Sequence, residues 1–498
     1  MATWIEPPAS GLALPVLRRG EEYYSLETRV LDDIRTGEAV ANVGQASAGM
    51  IARDLRDVAE YQKLLDGFTV DELLKICTDA AHHLAESTLP LGLDADGNPV
   101  SQSPDDYLAQ LAATTGMPLS MGRANLAKLV GVLADMPKML DGLTRGLDLS
   151  ILDGGWGEQN SRSLSFLRLT ESLGAVLPNN SPGVHGLWMP AVPLKVPLVL
   201  RPGSREPWTP IRVARAFVAA GLPPQAISIY PTNYDGAAEL MLRTGRSLFY
   251  GDASTVEAWK GSSKVQIHGP GWSKVLLAPD SDWHDHLDLL VSSIAKNGGR
   301  SCINCSSVWL PADGSAGDPS ELAEAAAAQL AAIEPKTLDD PDATLAAFPD
   351  PAVARAISQM IDQQLEQEGA VDVTARHYGI DESGAVNRVV EVGGCTFLRP
   401  TLIHCTDPSH PLAHAEYGFP FAAVVEVDAN EIFDTIGPTL IGTVISDDPT
   451  VRQRAMIAPH IDRINLGAIP TWKISWDQPH EGNLFDHLYQ QRAFQMAV

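Results

Sequence analysis

Residues 196–230 read VPLVLRPGSREPWTPIRVARAFVAAGLPPQAISIY, and their rhythm decides the fold class. The apolar run VPLVL meets a Pro/Gly turn. WTPIRVARAFVAAG then sets Ile211, Ala214, Phe217 and Val218 on one helical stripe, with Thr209 as N-cap and Pro210 at the first helical position. A second apolar run, AISIY, begins at Ala226. Strand, helix and strand at this spacing imply a parallel α/β sheet. GAVLP from Gly174 and SLFY from Ser247 supply further strands of the same kind. No G-x-G-x-x-G follows any of them, so the usual dinucleotide fingerprint is missing.

Downstream, residues 274–278 (KVLLA) read as a strand, with Lys274 as an unremarkable exposed lysine on a strand edge. A helix follows from about Asp282, with Trp283, Leu287, Leu290 and Ile294 on one face. It runs out near Asn297 into NGGRSCINC, residues 297–305, and Ser306 opens the next strand. Later come an alanine-rich helix at 321–332 and strands near 388–392 and 422–427. Residues 441–445 are expected to begin the return towards the first domain. Upstream, residues 1–50 show no clear core. Helical patterns occupy 51–86 (interrupted near Gly67), 107–113 and 124–140, and GGWGEQNSRS from Gly154 breaks the periodicity. No internal repeat stands out.

Cys302 and Cys305 are two of only five cysteines in 498 residues. A closed zinc site needs four ligands, and Cys395 and Cys405, ten residues apart, form no recognised knuckle with them; no metal is assigned. A redox dithiol belongs at a strand-to-helix junction, whereas this pair precedes a strand. The remaining readings are a buried small hydrophobe, which suits Cys77, Cys395 and Cys305, and a nucleophile, which suits Cys302. The two glycines permit close backbone approach, and nearby N–H groups would stabilise a thiolate or oxyanion. Arg300 either lowers the thiol pKa or faces away.

The formal net charge of −26 argues against nucleic acid or an acidic lipid surface as a partner. No apolar run is long enough for a membrane span, and MATWIEPPASGLALP does not read as a signal peptide. The sparse, odd cysteine set fits a reducing, cytoplasmic setting.

Five separated pieces, in order, resemble the aldehyde dehydrogenase superfamily: LPNNSP with Asn180, VLRPGSREPWTPIRVARAFVAAGLPPQAI, LFYGDAST, NGGRSC ending on Cys302, and FLRPTL followed by EYGFPF. The resemblance covers residues 170–430 and implies an α/β fold with a Rossmann-type cofactor domain, a catalytic domain and a small β extension used in oligomerisation. It implies NAD or NADP despite the missing fingerprint. Cys302 would be the nucleophile and Asn180 an oxyanion partner. Pro178, Arg201 (at the usual lysine position), Ser204, Arg205, Gly251, Ser254, Glu416 and Phe419 would hold the cofactor. Because Ser204 and Arg205 stand where NAD-specific relatives use a glutamate, NADP becomes admissible.

One departure bears on chemistry. Hydrolytic members carry a base glutamate in E-x-G-G-K; here the stretch is IHGPGWSK, with His268 at that position. This piece resembles CoA-acylating aldehyde dehydrogenases and the acyl-CoA reductase branch that includes the fatty acid reductases of bioluminescent bacteria. A CoA thiol needs less base assistance than water, so loss of the carboxylate fits acyl transfer. His268 is read either as the base or as a structural histidine. His480 and Glu481, in QPHEGNLFDHLY, are read as active-site or oligomer closers, or as plain surface polarity.

The expectation is therefore an NAD(P)-dependent enzyme, a homodimer or homotetramer, interconverting an aldehyde and an acyl-CoA or related thioester through Cys302. Free-acid formation and a silent cofactor-binding scaffold are the rivals. The domains expected are 1–160, a helical region beside the cofactor domain; 161–265, the cofactor core; 266–445, the catalytic domain; and 446–498, the return and closing segment.

Overall fold

A computed structural model describes residues 11–380 and 384–496; residues 1–10, which carry most of the leader reading, lie outside them. The chain folds as two compact units. One takes in residues up to 115, then 122–269, then the tail from 475; the other takes in 116–121 and 270–474.

The first unit is built on a seven-stranded sheet. Its order is Val265–His268, Arg246–Tyr250, Leu173–Val176, Leu198–Arg201, Ile227–Ile229, Val16–Arg18 and Glu21–Tyr23. The first five strands are parallel, and the last two join antiparallel. The repeated strand–helix units thus form the expected parallel sheet. Residues 11–50 are not coreless, however. They contribute two strands to this sheet and three to a five-stranded sheet with Leu89–Asp94 and Pro99–Gln102, and Leu14 and Val16 are fully buried. These strands are three to six residues long and interspersed with charge and glycine, so no period-2 pattern persists long enough to read.

Helix Trp208–Ala219 begins two residues before the expected first helical position, Pro210. Thr209 is not its cap: the Glu206 carboxylate accepts from Thr209 N at 2.8 Å, and the Thr209 hydroxyl pairs with Tyr107 Oη at 2.8 Å. Glu206 is free to cap because its other oxygen meets His185 Nε2 at 3.1 Å, deep in the unit. The Trp188 indole donates to His185 Nδ1, so Nε2 carries the proton facing Glu206.

The second unit is also a seven-stranded sheet, in the order Ala370–Asp372, Thr401–Cys405, Phe421–Val427, Cys305–Pro311, Ser273–Leu277, Thr439–Ile445 and Ile461–Leu466. All strands run parallel except Ala370–Asp372. Helices Leu287–Ala295 and Pro319–Ala331 bury Leu290, Ile294, Leu322 and Leu330 against it. Strand Thr439–Ile445 lies inside this sheet and is buried at every position, so it does not start the return. The crossing comes after Ile474. Among the described residues no helix is long and apolar enough to cross a membrane.

Candidate active site

In the second unit, helix Leu287–Ala295 ends, and Asn297, Gly298 and Gly299 follow with φ of 55°, 62° and 69°. Three successive left-handed residues reverse the chain, which explains asparagine and two glycines here. Gly299 is doubly required, since a Cβ would lie 2.2 Å from the Phe419 carbonyl carbon. Asn304 then staples the loop: its amide donates to Ser293 O and Lys296 O, and its carbonyl accepts from Ser301 N. Cys302 sits on this loop, half-buried, and packs, as do Trp472 and Ile474, against the cluster of Ile303, Leu440 and Ile441. The Cys302 carbonyl accepts from Ser273 Oγ at 2.8 Å.

Arg300 faces away from the thiol role considered for it. It is buried and donates to Ala347 O, and burial pulls its pKa down to about 10. Cys305 is fully buried, and burial pushes its thiol up to about 12. The two cysteines differ physically: one is accessible on a glycine-built loop, the other is a protonated core thiol.

Residues 270–274 form the second wall of this loop. A Cβ on Gly271 would lie 1.8 Å from Cys302 O. The Glu416 carboxylate accepts from the backbone N–H groups of Gly271 and Trp272, and Trp272 holds φ 44°. Phe419 is buried in an aromatic cluster with Phe348, Tyr417 and Phe421. Glu416 and Phe419 thus both shape the frame around Cys302.

Lys274 corrects the sequence reading. Its strand is interior rather than an edge, and the side chain is 1% exposed. Nζ donates to Trp272 O, Pro438 O and Thr439 Oγ1 at 2.7–3.1 Å. Burial lowers its pKa from 10.5 to about 8, opposed by Cys305 and Glu416. Between these values the unfolded chain binds the extra proton and the folded chain does not, so folding stability rises with pH through that window. Relative to Lys274→Met, the wild-type chain should gain about 3 kcal/mol between pH 8 and 10.5. Urea unfolding of both proteins across pH 7–11 checks this; a pH-independent difference would refute the buried, titrating lysine.

In the first unit, strand Leu198–Arg201 ends on Arg201, and the loop beyond it is clasped to residues 177–181. A Cβ on Gly203 would lie 2.3 Å from Pro178 O. Asn179 Oδ1 accepts from Arg205 N at 2.7 Å, and its amide donates to Ser204 Oγ at 3.3 Å. Next to this clasp is a shallow, open pocket lined by Arg29, Gln45, Arg201, Ser204 and Thr232 among others. Arg201 Nε is buried without a hydrogen-bond partner, and burial, then the Arg29 charge, depress its pKa. No carboxylate lines the pocket. Arg205, expected here, is not among its lining residues. Arg29, on the exposed strand Thr28–Asp32, was missed because nothing local marks it.

Asn180 is exposed at the same strand ends, and its side-chain carbonyl accepts from Ser181 N at 3.0 Å. Gly251 is needed for close approach, since a Cβ would meet Thr255 Oγ1 at 2.3 Å; Gly251 N donates to His268 O. Ser254 gives both its N–H and hydroxyl to Asp252, which caps the short helix Ala253–Val256.

His268 ends strand Val265–His268 and is 6% exposed. Its ring stacks on Tyr250 with centroids 4.4 Å apart, Nδ1 pairs with the Glu481 carboxylate, and Nε2 is buried without a hydrogen-bond partner. The arrangements of the two units provide an accessible sulfur, a basic pocket for an anion and a histidine–carboxylate pair.

Comparison with known proteins agrees with this chemistry. Residues 99–446 match the family model described as "Aldehyde dehydrogenase family". The chain is 26% identical over 309 residues to an alpha-ketoglutarate semialdehyde dehydrogenase of Haloferax volcanii, spanning 59% of this chain and 60% of that protein. Among solved structures, a lactaldehyde dehydrogenase superposes with TM-score 0.76 at 14% identity, covering 98% of this chain and 100% of that one. A putative methylmalonate-semialdehyde dehydrogenase from Sinorhizobium meliloti 1021, complexed with NAD, gives TM-score 0.68 at 16% identity, covering 93% and 91%. With the model match spanning more than half of its length, the chain belongs to the aldehyde dehydrogenase family.

Proposed function

We propose that this protein is an NAD(P)-dependent oxidoreductase in which Cys302 forms a covalent hemithioacetal and thioester with its substrate, and that the acyl group is exchanged with coenzyme A or a related thiol. The observation that carries the reading is Cys302 itself: a half-buried thiol on the loop that follows three left-handed residues, Asn297, Gly298 and Gly299.

The dinucleotide, when bound, accepts or donates the hydride. Arg201, Arg29 and Ser204 would hold its adenosine end, and Pro178, Gly251, Ser254, Glu416 and Phe419 are the further positions assigned to it by family likeness. The pocket fits such a group: an unsatisfied, buried guanidinium nitrogen beside a second cation, without a competing carboxylate, suits a ribose phosphate. NADP is therefore the preferred cofactor. In the oxidative direction the Cys302 sulfur adds to the aldehyde carbon, Asn180 is the proposed oxyanion donor, and the thioester is discharged by an acceptor thiol whose proton passes to His268.

A second reading, discharge by water to a free acid, is favoured by one observation: His268 carries a carboxylate partner, an arrangement that activates poor nucleophiles. The Haloferax relative's name points the same way. A homodimer or homotetramer is proposed through the three-stranded sheet of Trp156–Gln159, Arg162–Arg168 and Tyr489–Gln491, where Trp156 and Leu167 are exposed. The reducing-compartment reading, a cytoplasmic enzyme, is retained.

One assay tests the core. The purified protein is given a panel of aldehydes with NAD or NADP, with and without CoA, and acid is resolved from acyl-CoA. Acyl-CoA formed only with CoA is expected; equal acid formation without it would overturn the thiol preference. Replacing Arg29 by Glu should raise the KM for NADP about 10- to 100-fold and leave that for NAD nearly unchanged. An equal effect on both would refute the phosphate site.

A further inference from the structure

The C-terminal tail is pinned to the first unit on both sides of Glu481. At Glu481 itself, Gln266 Nε2 donates to the backbone O, and the flanking residues close a tight turn in which His480 bridges Gly482. Gly482, at φ 76°, lies where a Cβ would come 2.7 Å from Gln266 Nε2. After it, Asn483 caps helix Leu484–Leu488 and donates to Leu143 O at 2.8 Å. Phe485 packs edge-on against Phe166, and Tyr489 Oη donates to Leu194 O. The carboxylate is thus delivered by a rigid turn rather than by a loose terminus.

What it meets is a histidine with one nitrogen engaged and one not. The Glu481 side chain is 8% exposed and that of His268 is 3% exposed. The Tyr250 ring covers one face of the imidazole. A carboxylate only accepts, so the Nδ1 facing it carries the hydrogen, and in the neutral ring Nε2 is left with a lone pair. That lone pair is buried and unpartnered. A histidine kept for packing alone would leave no such acceptor unsatisfied without cost.

We propose that Glu481 is a positioning residue that holds His268 in the Nδ1–H tautomer so that Nε2 receives the proton of the acyl acceptor. This rests on the dehydrogenase reading above. In the step concerned, the acceptor H–X loses its proton to Nε2, X bonds to the acyl carbon, and the C–S bond breaks with the electron pair leaving on the Cys302 sulfur, which is then reprotonated. The product is acyl–X, and neither oxidation nor reduction occurs. Loss of the family glutamate is thereby compensated by a base assembled from two distant stretches of chain.

The test separates the steps before discharge from discharge itself. With an aldehyde, NADP and CoA, stopped-flow absorbance of wild-type enzyme should show a burst of reduced cofactor followed by a slower steady state. Glu481→Gln should keep the burst amplitude and lower the steady-state rate about 10- to 100-fold. Other groups lie around the His268 ring. The Tyr250 phenol is stacked on it, and neighbouring His487, near Arg246, is held neutral at about 4 by burial. His480 Nε2 lies 4.0 Å from Glu481 Oε1 and belongs to the same cluster.

Glu481→Asp should recover part of the rate, and adding Glu481→Gln to His268→Gln should cost nothing further. A wild-type enzyme that forms no reduced cofactor from any aldehyde overturns the dehydrogenase reading. A normal burst with an unchanged steady state in Glu481→Gln overturns this inference, as does equal loss of both phases. Should the variant fail to fold, imidazole 15N spectra of wild type, assigned with His268→Gln, decide: a neutral Nε2–H tautomer refutes the proposal.

Discussion

Cys302→Ala is expected to lose turnover about 10⁴- to 10⁶-fold while remaining folded. That range corresponds to about 5–8 kcal/mol of lost barrier reduction. It follows from the proposed mechanism, in which the Cys302 sulfur is the atom that bonds to the acyl carbon. Cys305, three residues on, is the obvious candidate for rescue. It is fully buried in the following strand, its sulfur contacts Ser307 O, and its thiol is held protonated at pH 7. Cys305→Ala should therefore retain acyl capture and turnover within a few-fold. Intact-protein mass spectrometry after exposure to an acyl thioester reads the adduct directly. An adduct that survives Cys302→Ala and disappears in Cys305→Ala would move the nucleophile. The folding cost should be small, because the Cys302 side chain is only half-buried at the edge of its cluster.

The second large effect comes from Gly271→Ala. One methyl group would be placed 1.8 Å from the Cys302 carbonyl oxygen and 2.6 Å from its carbon. These are backbone atoms, braced by Ser273 Oγ on the oxygen and by Asn304 around the loop, so the nucleophile must move if the methyl is to fit. A displacement of about 1 Å at a reacting atom costs about 100-fold in rate. Turnover should fall at least that far, and stability should drop by about 2–4 kcal/mol, as expected for overpacking against rigid backbone. Gly269→Ala is the control: a Cβ there meets nothing within 4 Å among the described residues. It should stay within about 1 kcal/mol of wild type. Urea unfolding and the burst amplitude, measured on both variants, check the contrast. Near-normal activity in Gly271→Ala would show that the loop yields and that its placement of the sulfur is not critical.

The places where sequence reading succeeded and failed share a cause. Strand–helix–strand units around residues 196–230 were legible because buried parallel strands are continuous apolar runs and their helices carry one apolar stripe. The turn before Cys302 was legible because it needs residue types that tolerate positive φ. The cap of helix Trp208–Ala219 was misread because Glu206 is oriented by His185 and Trp188, which no local rule includes. Lys274 was misread because a charged residue in a strand suggests an edge, whereas Trp272 O together with two acceptors from a distant segment, Pro438 O and Thr439 Oγ1, makes an interior ammonium tolerable. Arg29 could not be picked out at all: its relevance depends on Arg201, 172 positions away, converging on one pocket.

The order of residues was thus sufficient for the α/β class, and it marked Cys302 and His268 as candidates, because each is written in a local pattern or a single position. The tertiary structure alone decided what those residues face. It buried Cys305 and Lys274, turned Arg300 inward, paired Arg29 with Arg201, and brought Glu481 to His268 across 213 residues of chain. Local propensity acts over a few residues, whereas protonation, burial and partner choice are set by whatever the folded chain brings within a few ångströms.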